Sequence, residues 1–249
     1  MTAPDFTSTV HIQCGTCPIR QRAVCSRCDA SELEELDQIK YYRKFDAGQS
    51  IVWAGDCVDF VGSVVTGVAS LAQTMEDGRR QMVGLLLPSD FVGRPGRKQT
   101  RYDVTATTDV LMCCFRKAPF EKLMATTPSV SQRLLEMTLD ELDAAREWMV
   151  LLGRKTAKEK IASLLVIFAR RSSQSTVPAY AGSIIIDLPL TREAMADYLG
   201  LTLETVSRQM SALKKTGVIV LQGKRQVIIP DFEQLLLETG DDSDGGMLD

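Results

Sequence analysis

Short alternating runs of apolar and polar residues, separated by glycines, extend from Phe45 to Phe115. Alternation with a period of two is typical of strands, and regularly spaced turn signals between short strands favour a barrel or a jelly roll. The dipeptide Asp77-Gly78 lies between two such runs and predicts a hairpin turn. The pattern therefore predicts an antiparallel β-barrel or jelly roll over residues 31–127.

The pattern changes after Pro128, because no Gly or Pro then occurs before Gly153. We expect one long helix over residues 128–153. Its apolar residues recur at alternating spacings of three and four, which indicates a heptad seam for a partner helix. Leu134 and Trp148 widen the apolar stripe, so the helix could instead pack on its own barrel, and both arrangements can hold on different faces. The predicted dimer interface consists of Leu135, Thr138, Leu142, Ala145, Met149 and Leu152.

A further helix over residues 156–171 and a polar loop over residues 172–183 lead into a pair of capped helices. Thr191 is placed to cap the first, Gly200 to end it in a left-handed conformation, and Thr202 to cap the second. Two capped helices joined by a tight turn form a helix-turn-helix. The run VIVLQGKRQVIIP predicts two strands around a turn, which completes a winged helix-turn-helix domain over residues 154–235.

The second capped helix carries polar side chains that would face a DNA major groove. Glu204, Ser207 and Arg208 lie at i, i+3 and i+4, on the face opposite its apolar residues. An arginine can donate two hydrogen bonds to O6 and N7 of guanine, and a glutamate can accept a hydrogen bond from N4 of cytosine. A serine can contact either a base or a phosphate. We therefore predict base contacts from these three residues. The predicted phosphate contacts are Thr191, Thr202, Lys224 and Arg225.

The charge of the chain is unevenly distributed, although its net value is −3. Residues 154–230 carry twelve Lys or Arg against five Asp or Glu, which favours a nucleic-acid partner. Residues 231–249 carry seven acidic and no basic residues, and we expect a disordered acidic tail over 236–249. No apolar run approaches eighteen residues, so we expect a soluble, cytoplasmic protein without a membrane partner.

Four cysteines crowd residues 1–30, in two pairs that are each separated by two residues: Cys14 with Cys17, and Cys25 with Cys28. This spacing allows both sulfurs of a pair to bind one metal centre. All four could hold Zn²⁺, or three of them could join a distant fourth in an iron–sulfur cluster. The surrounding stretch is too polar and too short to bury four small apolar side chains, so we do not expect four buried, unligated thiols. An odd total of seven cysteines disfavours a disulfide framework.

An iron–sulfur enzyme is the weakest alternative. The chain has one histidine, His11, no Gly-rich phosphate loop and no recognisable pair of catalytic carboxylates. We therefore predict that the protein is not an enzyme.

The order of barrel, long helix and winged helix-turn-helix resembles the CRP/FNR superfamily of bacterial transcription regulators. The run LTREAMADYLGLTLETVSRQMSALKKTGVI is similar to the FNR signature, in which a Glu, a Ser and an Arg read a TTGAT-type half-site. These fall on Glu204, Ser207 and Arg208. The resemblance implies an α+β fold with a cyclic-nucleotide-binding-like sensor domain, a homodimer on pseudo-palindromic DNA, and recruitment of RNA polymerase.

The cysteines resemble the oxygen-sensing [4Fe–4S] site of the FNR branch. The resemblance places the ligands at Cys14, Cys17, Cys25 and Cys113, with Cys28 and Cys114 as alternates. Cys25 is preferred because related sequences have seven residues between the second and third ligands. Cys113 is preferred because a family pattern places a Cys shortly before a hydrophobic residue. Cys57 is interpreted as a structural barrel thiol.

Two further expectations follow from this resemblance. The cyclic-nucleotide-binding branch carries a Gly-Glu pair and a later Arg-Ser or Arg-Thr pair, whereas this chain has DFVGRPGRKQTRYDVTAT in that region. We therefore expect no cyclic nucleotide. We expect an oxygen-responsive global transcription regulator whose cluster stabilises the DNA-binding dimer under anaerobic conditions. The alternative is a regulator of the same family that zinc stabilises without redox sensing.

Overall fold

The computed structural model describes residues 12–173, 183–223 and 225–241. His11, Lys224, most of the predicted polar loop and the end of the acidic tail therefore lie outside the described residues. The chain divides into two compact units, Met1–Glu141 and Leu142–Asp249. In the part of the chain that is described, no helix is long and apolar enough to cross a membrane.

The first unit is a double-layered antiparallel β structure with helices at both ends of its sequence. A single 3-10 turn (Cys14–Thr16) and α1 (Ala30–Ile39) precede the strands, and α2 (Lys117–Thr126) follows them. Two four-stranded sheets form, with the orders β1-β8-β3-β6 and β2-β7-β4-β5. This is the jelly-roll form of the prediction. The strands are β1 (Lys40–Phe45), β2 (Ser50–Val52), β3 (Phe60–Thr66), β4 (Ala69–Thr74), β5 (Arg80–Leu86), β6 (Phe91–Val92), β7 (Asp103–Ala106) and β8 (Val110–Arg116).

The predicted hairpin is confirmed, because β4 pairs with β5 and Gly78 adopts a φ of 85° in the turn between them. Such a positive φ carries no steric cost for glycine. Cys57 was predicted to be a structural barrel thiol, and this is wrong. The residue is exposed, and it forms only an isolated bridge with Gln99.

Two apolar cores lie on opposite faces of the first sheet. One core fills the space between the sheets and includes Val64, Met112 and Cys114. The other lies beneath the amino-terminal segment and the helices, and includes Leu36, Phe120 and Cys113. Alternation along β8 thus sends the adjacent cysteines to opposite faces, as predicted. The expectation that the amino-terminal stretch is too polar and too short to bury its thiols is wrong for Cys28, which lies buried in the second core with Ile19, Ala23 and Val24.

The long helix α3 (Pro128–Arg154) ends within one residue of its predicted boundary. In the first unit, Leu134 and Met137 pack against the core beneath the helices. In the second unit, Leu151 is buried and Trp148 stacks on Tyr198 with ring centroids 3.9 Å apart. The helix therefore packs on its own chain along one face, as the second of the two predicted arrangements requires. Another face of the helix is exposed to solvent.

The second unit is a winged helix-turn-helix domain with two elements that were not predicted. Strand β9 (Ile184–Asp187) pairs with β11, giving a three-stranded sheet of order β10-β11-β9. Helix α7 (Phe232–Leu237) crosses the predicted boundary at residue 235. The acidic tail was predicted to begin at 236, and this is wrong for residues 236–241. Thr239 is buried, and Asp241 forms an ion pair with Lys155 at 2.6 Å. The remaining elements are α4 (Ala157–Ser173), α5 (Arg192–Leu199), α6 (Leu203–Lys215), β10 (Val220–Gln222) and β11 (Gln226–Ile229).

Candidate functional site

The helix-turn-helix is held in shape by the capping residues that the sequence indicated. Thr191 accepts a hydrogen bond from the Ala194 backbone N–H at 3.1 Å, and Thr202 accepts one from Thr205 at 3.2 Å. Gly200 ends α5 with a φ of 62°. Each side-chain cap satisfies an N–H that has no partner within the helix, which contributes about 1 kcal/mol to helix stability. These contacts fix the angle at which α6 leaves the turn.

Helix α6 has one buried face and one exposed face, as the sequence predicted. Val206, Met210 and Leu213 are buried in the domain core. The predicted base-contacting residues Glu204, Ser207 and Arg208 are all exposed on the opposite side.

The exposed Glu204 and Arg208 side chains of α6 have local hydrogen-bond partners. Hydrogen bonds from the backbone N–H of Glu204 and the Thr202 side chain hold the pKa of the Glu204 carboxyl below its ordinary value. Arg208 Nη2 lies 3.4 Å from Thr205 Oγ1. In the wing, Arg225 is exposed at the turn before β11. An ionised carboxylate, a hydroxyl and a guanidinium are therefore all available on one exposed helix face.

Three of the amino-terminal cysteines share one neighbourhood with Cys113. Cys17 and Cys25 pack against the core that contains Cys113. Burial raises the pKa of the Cys113 thiol strongly, and the nearby thiols of Cys114, Cys14, Cys17 and Cys25 raise it further. Four donor groups that disfavour one another's negative charge form a site that a bound cation would stabilise.

Cys25 shares the neighbours Cys14 and Cys17 with Cys113 and also has Cys28 beside it. Burial raises the pKa of its thiol to about 11, Arg20 opposes this shift, and Cys28, Cys14 and Cys17 add to it. The Cys113 thiol therefore has Cys14, Cys17 and Cys25 among its neighbours, and Cys28 lies beside Cys25. This set of soft sulfur donors fits an iron–sulfur cluster.

The two alternate cysteines have different surroundings. Cys28 is buried, and its Sγ lies 3.9 Å from Ser129 Oγ at the start of α3. Burial raises the pKa of the Cys28 thiol, and its other charged neighbours are Glu32, Arg20 and Asp29. Cys114 lies in the core between the sheets, where burial raises the pKa of its thiol to about 12. Cys28 nevertheless lies in the same core as Cys113 and beside Cys25, so both alternates remain open as ligands.

Two cations that the sequence analysis did not single out hold the cysteine segment in place. Arg20 donates to the backbone oxygens of Cys25 at 2.6 Å and Cys28 at 2.8 Å. Lys40 Nζ lies 3.4 Å from Cys14 Sγ. The side chain of Lys40 is almost fully buried, although it starts an ordinary alternating strand.

The same segment is tied to the first turns of α3. Arg133 Nη2 donates to the backbone oxygen of Arg22 at 2.8 Å. Arg27 forms an ion pair with Glu136 at 2.8 Å, and Arg133 also reaches Glu136 at 3.3 Å. Ser129 donates to Glu32 at 2.8 Å. A displacement of residues 20–32 would therefore break polar contacts to the helix that carries the predicted dimer seam.

That seam is the uncovered face of α3. Thr138 and Ala145 are exposed along this face, and Leu152 is half-buried. The large side chains are exposed to an unusual degree, with 60% for Leu135, 45% for Leu142 and 65% for Met149. Large apolar side chains at heptad spacing that stay 45–65% exposed in the single chain provide a surface for a second helix.

Comparison with known proteins agrees with this architecture. A family model described as a Crp-like helix-turn-helix domain matches residues 159–237, and one described as a cyclic nucleotide-binding domain matches residues 42–127. The transcriptional activator protein FnrL of Cereibacter sphaeroides is 69% identical over 247 residues, which cover 99% of each chain.

Two further proteins extend the comparison. The anaerobic regulatory protein of Haemophilus influenzae is 29% identical and covers 92% of this chain and 88% of its own. The solved structure of FixK2 from Bradyrhizobium japonicum superposes with a TM-score of 0.73 at 32% identity, covering 82% of this chain and 100% of that one.

These findings confirm the predicted fold class, a cyclic-nucleotide-binding-like β domain followed by a winged helix-turn-helix. They indicate a transcription factor rather than an enzyme, and the helix-turn-helix implies DNA binding and dimerisation. The near full-length match at 69% identity identifies the branch. The chain belongs to the FNR branch of the CRP/FNR superfamily of transcription regulators.

Proposed function

We propose that this chain is an oxygen-responsive transcriptional activator whose DNA-binding homodimer is favoured by a [4Fe–4S] cluster. Cys14, Cys17, Cys25 and Cys113 would hold the cluster. The observation that carries the proposal is that the Cys113 thiol on β8 has Cys14, Cys17 and Cys25 beside it, on a segment that a hydrogen bond ties to α3. The name of the Haemophilus influenzae relative, an anaerobic regulatory protein, supports a response to oxygen.

A cluster suits the arrangement better than a single zinc ion. Among the described residues, no three His, Cys, Asp or Glu side chains are close enough together to hold one metal ion. A four-iron core is wider than one ion, so its ligands lie farther apart. The zinc alternative needs Cys14, Cys17, Cys25 and Cys28 around one centre, whereas Cys28 is turned toward Ser129.

The cluster would act by holding the cysteine segment against the first sheet. When bound, it supplies an iron–sulfur core that reacts with oxygen. Without that core, the Cys113 thiolate would take up a proton, because burial raises the pKa of this thiol. The segment that contains Arg22 and Arg27 would then no longer be held to Cys113. The contacts from Arg22 to Arg133 and from Arg27 to Glu136 would then weaken.

Dimerisation is the step that these contacts would control. A helix whose orientation is fixed at its first turns can present Leu135, Leu142 and Met149 to an identical helix. By two-fold symmetry, each seam contact occurs twice. The seam is weak at Thr138 and Ala145, where little apolar area is available, so modest changes in helix orientation would shift the equilibrium.

The dimer would read a pseudo-palindromic operator. Two copies of α6 would enter adjacent major grooves about 34 Å apart, with Glu204, Ser207 and Arg208 contacting base edges. Thr191, Thr202, Lys224 and Arg225 would contact phosphates, which fixes the register of the protein on the duplex. The bound dimer would recruit RNA polymerase, without a cyclic nucleotide as cofactor.

Anaerobic purification of the full chain tests the cofactor. Iron and acid-labile sulfide in equal amounts, near four of each per chain, would support the proposal. A colourless protein with one zinc ion would support the alternative. Serine substitutions at Cys25, Cys28, Cys113 and Cys114 then separate ligands from neighbours. Cys57→Ser is the matched control, because this cysteine is exposed and lies outside the group.

A further inference from the structure

Lys40 is a buried cation whose ammonium group contacts a predicted cluster ligand. Its side chain is only 3% exposed, whereas lysine is normally at the surface. The Nζ atom donates to the backbone oxygen of Ile12 at 2.6 Å, to the carboxylate of Asp37, and to Cys14 Sγ at 3.4 Å. An ammonium group has three N–H donors, so these three acceptors use all of them.

The ion pair with Asp37 does not by itself explain why Lys40 is buried. The Asp37 side chain is 38% exposed, so the pair could form with the lysine in solvent. Placing the ammonium inside costs hydration free energy that an inward-facing partner must offset. Besides Asp37, the ammonium contacts the backbone oxygen of Ile12 and the Cys14 sulfur, and it lies 5.7 Å from the centroid of the Tyr42 ring. Of these partners, the Cys14 sulfur gains the most when it binds a metal, because it then carries negative charge.

We propose that Lys40 is a positioning residue for the cluster, whose ammonium donates to the Cys14 sulfur and offsets part of the negative charge that the four ligands carry when the cluster is bound. This inference rests on the proposed function. Donors that hydrogen-bond to ligating sulfur stabilise the bound form of such sites and are part of their outer shell. Lys40 lies 26 residues from Cys14 in sequence, and β1 brings it there.

Asp37 provides a way to separate charge from simple anchoring. Its carboxylate hydrogen-bonds to Lys40 and also to the thiol and backbone N–H of Cys14. It therefore places a negative charge beside the same sulfur that Lys40 faces with a positive charge. If Lys40 acts only as an anchor for this corner of the fold, removing either member of the pair should have the same effect. If its charge matters, the two substitutions should act in opposite directions.

The experiment measures retention of iron in the full chain. Wild type, Lys40→Met, Lys40→Arg and Asp37→Asn are purified without oxygen, and iron and acid-labile sulfide are counted per chain. Loss of visible absorbance is then followed in an excess of an iron chelator, still without oxygen. We expect Lys40→Met to lose its iron about tenfold faster than wild type. Lys40→Arg, which keeps the charge, should stay within about twofold of wild type, and Asp37→Asn should lose iron at the wild-type rate or more slowly.

Two results would overturn this role for Lys40. Equal acceleration by Lys40→Met and Asp37→Asn would show that the pair only anchors the segment. A wild-type rate in Lys40→Met would show that the ammonium does not support the ligand. Thermal unfolding of the metal-free proteins checks that each variant folds. If Lys40→Met does not fold, Lys40→Gln takes its place, because glutamine keeps N–H donors but carries no charge. Absence of iron and sulfide from the wild type would instead refute the proposed function and this inference with it.

Discussion

Truncation of Leu135 should weaken dimerisation without weakening the fold of the single chain. Leu135 is 60% exposed on the uncovered face of α3, so most of its side chain is available to a partner. Full burial of a leucine side chain contributes about 1.5–3 kcal/mol, so burial of the exposed part contributes about 0.9–1.8 kcal/mol. Symmetry doubles this value, so Leu135→Ala should cost the dimer about 1.8–3.6 kcal/mol, or about 20- to 450-fold in its dissociation constant.

Anaerobic sedimentation equilibrium of the cluster-loaded protein measures that constant. The thermal unfolding temperature of the monomer should stay near the wild-type value, because the deleted atoms contact solvent in the single chain. Leu237→Ala is the matched control, since Leu237 is 83% exposed at the end of α7 and lies outside the seam. An unchanged dimer constant for Leu135→Ala, or an equal loss for Leu237→Ala, would refute the assignment of this face.

The other predictions concern DNA reading and the link between the cysteine segment and α3. Arg208→Ala should cost about 1–3 kcal/mol on the operator and relax preference at one base pair, whereas Arg225→Ala should weaken binding to all sequences alike; a binding series over single base changes distinguishes the two. Because the pKa of Glu204 is lowered, its carboxylate should stay ionised as the pH falls to the ordinary glutamate value of about 4.3. Discrimination between bases at the pair that Glu204 contacts should therefore persist to that pH, which operator affinities measured over a pH series would show. Loss of discrimination already near pH 6 would contradict this. Glu136→Gln should leave the iron content unchanged but weaken the anaerobic dimer, because the ion pair to Arg27 is lost; a variant that loses iron as well would show that the contact serves the cluster site itself.

The sequence predicts the helix-turn-helix well, because the signals that define its two helices are local. Thr191, Gly200 and Thr202 are caps that act within one or two turns, and the burial of Val206 and Met210 follows from helical spacing. The long helix is predicted equally well, since the absence of Gly and Pro over 24 residues leaves few alternatives.

The missed elements depend on contacts distant in sequence. Strand β9 has only four residues and is stabilised by pairing with β11, about forty residues later. Helix α7 is short, and the residues after it are held by ion pairs from Lys155 and Lys158 to Asp241 and Glu238. Acidic composition alone suggested disorder there, because the compensating lysines lie about eighty residues earlier in the sequence.

The amino-terminal segment depends both on local signals and on contacts distant in sequence. A capping box at Asp29 and Glu32 marks the start of α1, and the spacing D-x-x-E was readable in the sequence. The burial of Ile19 and Val24 was not readable, because it requires the sheet face that Cys113 occupies. Lys40 has the pattern of an ordinary strand residue, so only the fold reveals its contact with Cys14.

In the proposed mechanism, oxygen controls operator binding through the four cysteines. A decisive measurement is the affinity of the anaerobically purified protein for a TTGAT-type palindrome, before and after exposure to air, for the wild type and for Cys25→Ser. We expect tight anaerobic binding by the wild type, loss of that binding in air, and weak binding by Cys25→Ser under both conditions. Operator affinity that is unchanged by air, or by the loss of Cys25, would contradict it.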